Sequence, residues 1–119
     1  MKKIGIIGTR RRNSGEAFKK IKEAFFEVYE VGDMIVSGGC PKGGDRCAEK
    51  IAKDHGIPIT IYFPNWKIGK WAGFARNTHI AENSDVIIAC VSKDRSGGTE
   101  DTIKKFLVKK PKGEVKLVE

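Results

Sequence analysis

Two hydrophobic patterns take turns along this chain. The first is a short, nearly continuous apolar run, as in Lys3 to Gly8, where Ile4, Ile6 and Ile7 leave no polar face. Such runs read as strands covered on both sides. The second is an apolar recurrence at three and four, as in Ser14 to Glu30, where Ala17, Phe18, Ile21, Ala24, Phe25 and Val28 form one stripe. That spacing predicts a helix with one buried face, and Ser14 is placed to cap it. The alternation continues as a strand from Asp33 to Val36 and a helix from Asp45 to His55. That helix turns Cys47, Ala48, Ile51 and Ala52 inward and stops at Gly56. A strand from Ile57 to Phe63 follows, with Pro58 tolerable only near its start. Then come a loop from Asn65 to Lys70, a helix from Ala72 to Glu82 and a strand from Asp85 to Val91. A helix from Gly98 to Lys109 is broken by Pro111 and Gly113, and a short strand runs from Glu114 to Val118.

Strand–helix alternation of this period predicts an α/β, Rossmann-like, doubly wound parallel sheet of about five strands, with helices on both faces. The expected strand order is 3-2-1-4-5, which opens a crevice at the carboxyl ends of strands 1 and 4. The 119 residues make one domain, 1–119, with 39% apolar residues for a modest core. That is too short for separate cofactor and substrate domains, so a second wall for any pocket is expected from another subunit. No targeting core follows Met1-Lys2-Lys3, and no apolar stretch approaches membrane-spanning length. The three cysteines, Cys40, Cys47 and Cys90, lack zinc-ligand spacing and read as reduced, cytoplasmic thiols.

Charge narrows the partners without naming them. The formal net charge is +8, from 23 Lys and Arg against 15 Asp and Glu, which favours a small anionic ligand or another anionic partner. Much of the excess lies at Lys104, Lys105, Lys109, Lys110, Lys112 and Lys116. These read as a solvated helix face and tail, or as a nucleic-acid surface. No aromatic residues alternate with them as a single-strand stacking platform would require.

Candidate chemistry gathers in three glycine clusters, each after a strand and before a helix. The first loop, Gly8 to Gly15, lacks both the G-x-G-x-x-G dinucleotide fingerprint and the G-x-x-x-x-G-K-[ST] triphosphate loop. It offers a turn at Gly8, the Thr9 hydroxyl and the Arg10 guanidinium, which can clamp a phosphate; Arg10, Arg11 and Arg12 are otherwise a solvated loop. The second cluster, Ser37-Gly38-Gly39 with Gly43-Gly44-Asp45, lets backbone approach a ligand. Asp45 either caps the following helix or accepts a ribose hydroxyl. The third, Ser96-Gly97-Gly98-Thr99, makes an anion nest, with Thr99 able to cap the helix and touch a phosphate together. Glu100 and Asp101 stabilise that helix's dipole or serve as catalytic carboxylates. Trp66 and Trp71 stack on a base, form a lid or make a dimer contact. Arg76 and Asn77 face the crevice, where Arg76 either binds phosphate or pairs with Asp45. His79 and His55 read as structural and surface residues respectively.

Together, Ser37-Gly38-Gly39, Gly43-Gly44-Asp45-Arg46, Trp66 with Gly69, Ala72-Gly73, Arg76-Asn77 and Gly97-Gly98-Thr99 resemble the YspA/YpsA-related branch of the SLOG superfamily. That superfamily joins the DNA-processing protein A group with the LOG "lonely guy" proteins. The resemblance runs from Ile4 to about Lys109. It implies a Rossmann-like fold, binding of a nucleotide or nucleotide-derived ligand, and pairing as a dimer. LOG enzymes carry P-G-G-x-G-T-x-x-E and split a nucleoside monophosphate between base and ribose 5'-phosphate. Gly98 and Thr99 match its Gly-Thr, Ser96 does not supply the proline, and the glutamate position falls on Thr102. The leading expectation is therefore a nucleotide-binding or sensing domain. The alternatives are an N-glycoside hydrolase acting on nucleoside monophosphates, and a nucleic-acid-binding domain. Apolar residues around Trp66 and Trp71 add an expected homo-oligomer, a two-fold dimer.

Overall fold

The computed structural model describes residues 1–40, 43–69 and 71–119; Pro41, Lys42 and Lys70, which fall in two of the loops above, lie outside the described residues. Among the described residues, strands and α-helices alternate as β1 (Lys3–Gly8), α1 (Gly15–Val28), β2 (Met34–Ser37), α2 (Gly44–His55), β3 (Ile59–Ile61), α3 (Ala72–Glu82), β4 (Val86–Cys90), α4 (Gly98–Lys109) and β5 (Glu114–Val118). Every pairing is parallel, and the order across the sheet is β3-β2-β1-β4-β5. This is the Rossmann-like arrangement that the alternation predicts. β1 is central: Ile4 sits opposite Ile35 on one side and Val86 on the other, and Gly8 ends opposite Cys90.

The near-continuous apolar runs are explained by cover on both faces. All five residues of β4 are buried. On one face Ile4, Ile6, Ile35 and Ile88 pack against Ala17, Ile21 and Phe25 of α1 and Cys47, Ala48 and Ile51 of α2. On the other, Ile7, Val36, Ile87 and Ala89 pack against Ile80 and Ala81 of α3 and Ile103 and Phe106 of α4. Each Ile or Phe fully removed from water there contributes about 1.5–3 kcal/mol.

Several element ends differ from the sequence reading, each for a local reason. Ser14 lies outside α1 as its cap, its hydroxyl accepting from the Ala17 N–H at 3.1 Å. Asp33 is not in β2; its carboxylate accepts from the Lys2 N–H at 2.7 Å and the Glu30 N–H at 2.9 Å, closing the turn after α1. β3 is only three residues long. Ile57 is held back by bonding to the Ala52 carbonyl after the left-handed Gly56, and Phe63 turns outward. The Asn65 loop contains a 3-10 turn, Trp66–Ile68, with the Asn65 side chain accepting from the Lys67 N–H at 3.2 Å. Asp85 precedes β4 and accepts from the Lys3 N–H at 2.8 Å. No helix among the described residues is long and apolar enough to cross a membrane.

Candidate functional site

β1 and β4 hand the chain to helices on opposite faces of the sheet, so their carboxyl ends part. A cavity of about 400 Å³ opens there. Of the residues singled out in sequence, Gly8, Thr9, Arg10, Asp45, Arg76, Asn77, Gly97, Gly98 and Thr99 line it. They come from the β1–α1 loop, the start of α2, one face of α3 and the start of α4.

The electropositive wall is the N-terminus of α4. Its cap residue is Gly97, at φ 95°, with no side-chain cap. Thr99 was expected as a cap; it lies instead inside the first turn, 8% exposed, and its hydroxyl makes no hydrogen bond among the described residues. The N–H groups of Gly98, Thr99 and Glu100 also find no acceptor there. Uncapped amides at a helix start carry the positive end of its dipole and suit an anion.

Asp45 provides the opposite polarity. It does not cap α2, because Gly43 occupies that position without a side-chain cap. Gly44 then packs so tightly on the Ile7 carbonyl that Asp45 is carried into the first turn, and its carboxylate folds back to accept from the Cys40 N–H at 3.1 Å. Burial raises its pKa, opposed by the Cys40 N–H and by the Arg76 charge. The Ser37 hydroxyl is near enough to favour the charged form, yet it is buried without a hydrogen bond of good geometry.

Arg76 and Asn77 tie the walls together. The Arg76 guanidinium donates to the Gly38 carbonyl, and its Nε donates to Asn77 Oδ1 at 3.0 Å. Asn77 Nδ2 reaches the Gly98 carbonyl at 3.3 Å and Asp101 Oδ2 at 3.2 Å. Arg76 thus pairs with Asp45, the second of its two expected roles, at 3.9 Å. Of the loop arginines, Arg11 holds Asp94 through both guanidinium nitrogens at 3.1 and 3.0 Å, and Arg12 donates to the Val91 carbonyl at 3.2 Å. Arg10 is exposed at the cavity and makes no hydrogen bond among the described residues.

Other singled-out residues lie elsewhere. Ser37, Gly38, Gly39 and Gly43 do not line the cavity; a side chain at Gly38 would overlap Arg76 and one at Gly39 would overlap Phe63. Trp66 and Trp71 are 62% and 66% exposed and do not line the cavity. Glu100 pairs with Arg95 at 2.8 Å and Asp101 with Lys105 at 2.9 Å, and neither lines it. The cavity also takes in Cys40, Ile80, Ser96 and Thr102. Ile80 lies one helical turn beyond Arg76, so its presence follows from spacing. Ser96 opens the third glycine cluster, and Thr102 lies one helical turn beyond Gly98 on α4. Cys40 falls inside the second glycine cluster, where its residue type alone gives it no role. His79 stacks on Tyr62 at 5.8 Å, and His55 packs edge-on against Phe26 at 4.9 Å. Compared with known protein families, with curated proteins and with solved structures, the chain gives no match.

Proposed function

We propose that this crevice binds a nucleotide or nucleotide-derived ligand, as a sensor or binding domain. One observation carries the reading: uncapped α4 amides, the free Thr99 hydroxyl and Arg10 face a single buried carboxylate, Asp45, across one cavity. A phosphate belongs on the α4 turn, and a sugar hydroxyl belongs on Asp45. The volume of about 400 Å³ is within the range of about 300–1,000 Å³ for small-molecule sites. The motifs shared with the SLOG superfamily support the same reading, and the three free thiols are in keeping with a reducing, cytoplasmic setting. We extend the reading to a two-fold dimer formed through the exposed aromatic loop.

Calorimetry against nucleoside mono- and diphosphates, NAD and ADP-ribose tests it. Binding that weakens in Thr99→Val and Asp45→Asn is the expected result. Folded protein that binds none of them at millimolar ligand overturns the reading. Free base released from a nucleoside monophosphate would convert the binding domain into a hydrolase, and its loss in Asp45→Asn would name the carboxylate.

A further inference from the structure

One anion site at this crevice is filled by the protein itself. Asp94, on the β4–α4 loop, accepts from Arg11 at 3.1 and 3.0 Å, from Ser92 Oγ at 2.7 Å and from Ser96 Oγ at 2.8 Å. Ser96 also accepts from Arg11 at 3.3 Å. Two of these donors, Arg11 and Ser96, line the cavity beside Gly97 and Gly98; Asp94 does not. A guanidinium fork with hydroxyls around it is the donor set that phosphate oxygens take. The donors, Arg11 first and then Ser92 and Ser96, hold the Asp94 carboxylate well below the ordinary carboxylate range.

The loop that presents Asp94 carries one unfavourable backbone conformation. Its next residue, Arg95, has φ 51°, the one positive φ outside glycine among the described residues. That conformation is unfavourable for a side-chain-bearing residue; Arg95 there bonds through its N–H to the Ser92 carbonyl at 3.1 Å and through its guanidinium to Glu100 at 2.8 and 2.9 Å. The Arg11 and Asp94 side chains are each 58% exposed, so water takes up a released Asp94 and offsets part of what its hydrogen bonds provided.

Resting on the nucleotide reading, we propose that Asp94 is a placeholder for the ligand's phosphate: a terminal phosphate monoester takes the Arg11 fork and the Ser96 hydroxyl, and Asp94 moves out to solvent. The exchange selects for ligand class. A monoester brings up to two charges and three terminal oxygens, and displaces a carboxylate with one charge and two. Each phosphoryl group in the diphosphate bridge of a dinucleotide such as NAD, with one charge and two free oxygens, only equals what it must displace. The site therefore prefers a 5'-monophosphate to a dinucleotide or an uncharged nucleoside.

Calorimetry with AMP, NAD and inorganic phosphate on the wild-type chain, Asp94→Ala, Asp94→Asn, Arg11→Ala and the double variant Arg11→Ala/Asp94→Ala tests this. Removing an internal competitor raises affinity, so both Asp94 variants bind AMP about tenfold tighter than wild type. The double variant shows no such gain, because the fork is gone. Asp54→Asn, an equal charge change on the exposed end of α2, leaves affinity unchanged. The placeholder is overturned if wild type binds AMP and neither Asp94 variant binds it more tightly. It is equally overturned if the gain survives loss of Arg11 or appears in Asp54→Asn. If no form, folded by thermal melt, binds AMP or phosphate, the placeholder is overturned, and the nucleotide reading falls with it only when the nucleoside diphosphates, NAD and ADP-ribose go unbound too.

Discussion

Arg76 reaches from α3 to the far side of the crevice, where it donates to the Gly38 carbonyl and stands 3.9 Å from the Asp45 carboxylate. The two side chains are only 15% and 10% exposed. Removing the cation leaves a buried carboxylate and a carbonyl without their partner. Arg76→Ala is expected to lose about 2–3 kcal/mol of stability, measured by urea unfolding. The long separation and the raised Asp45 pKa keep the loss from being larger, since Asp45 can take up a proton instead. Asp45→Asn removes the charge yet keeps an acceptor for Cys40, and should cost under about 1 kcal/mol. A larger loss in Asp45→Asn than in Arg76→Ala would show that the carboxylate charge, not Arg76, holds this wall.

The acidic limb of stability has two opposed contributions. Burial raises the pKa of Asp33, but the Lys2 ammonium and the Lys2 and Glu30 N–H groups outweigh it and bring it down to about 2. Its folded value is depressed, so its stabilisation is present above the ordinary value of 3.8 and is lost as pH falls through about 2. Asp45 has the opposite sign: its folded pKa is raised, so its contribution improves as pH falls from neutral into the carboxylate range. Melting temperature followed from neutral pH to pH 2 should fall steeply at the acid end in wild type and less steeply in Asp33→Asn. An unchanged acid limb in Asp33→Asn would remove that carboxylate from the account.

Gly44 is where α2 rests on the end of β1. A methyl group there would overlap the Ile7 carbonyl and the Gly8 nitrogen, both backbone and unable to yield. Gly73, in the first turn of α3, has only Trp66 at an ordinary 3.8 Å. Gly44→Ala should therefore fold poorly or lose about 3 kcal/mol or more, as overpacked sites do. Gly73→Ala should be neutral or gain about 0.5–1 kcal/mol from helix propensity. Thermal melts of the two proteins decide it, and equal melting temperatures would contradict the contact.

These residues also show what the sequence made legible. Periodicity is a local property, and it gave the buried faces of α1 and α2 because each element buries one contiguous set of side chains, while the strand order followed from the regular alternation of strands and helices. Glycine after a strand and before a helix marked the carboxyl edge correctly, and so Gly8, Gly97, Gly98 and Thr99 were found at the cavity. The meaning of a glycine was less legible. Gly38 makes room for Arg76, and Gly44 for the Ile7 carbonyl. A glycine that admits the protein's own groups has the same spacing as one that admits a ligand. Asp94 was invisible for a related reason. Its partner Arg11 lies 83 positions away, and only the adjacency of β1 and β4 brings the two loops together.

The described residues of the aromatic loop leave their apolar side chains largely in water. Phe63, Trp66, Ile68, Trp71 and Phe74 are between 46% and 68% exposed, and Trp71 and Phe74 touch ring to ring at 6.0 Å. An apolar ridge of this extent is more than a solitary small domain usually leaves in water. Sedimentation at micromolar concentration should give twice the 13.2 kDa chain mass. Trp66→Ala/Trp71→Ala should give the single chain. A wild-type protein that sediments as one chain would rule out the pairing, and a dimer that survives the double substitution would move the interface.

The three thiols should react at very different rates. Burial pushes the Cys47 thiol up to about 11, and the neighbouring Cys90 adds to the shift. Cys90 is itself raised by burial and has no exposed surface. Both sit in the core beneath α1 and α2, so little thiolate forms and no reagent reaches it. Cys40 is half-buried, and it lines the cavity beside Asp45. A disulfide reagent applied to the native protein should titrate one thiol rapidly, and all three only after unfolding. Peptide mapping should place the fast label on Cys40. A ligand seated between Asp45 and the α4 turn would cover that sulfur, so the nucleotide that binds should slow the labelling in proportion to occupancy. Labelling of Cys40 that is unaffected at saturating nucleotide would mean that the ligand sits away from Asp45, and would break the sugar-to-Asp45 half of the proposed pose while leaving the phosphate half standing.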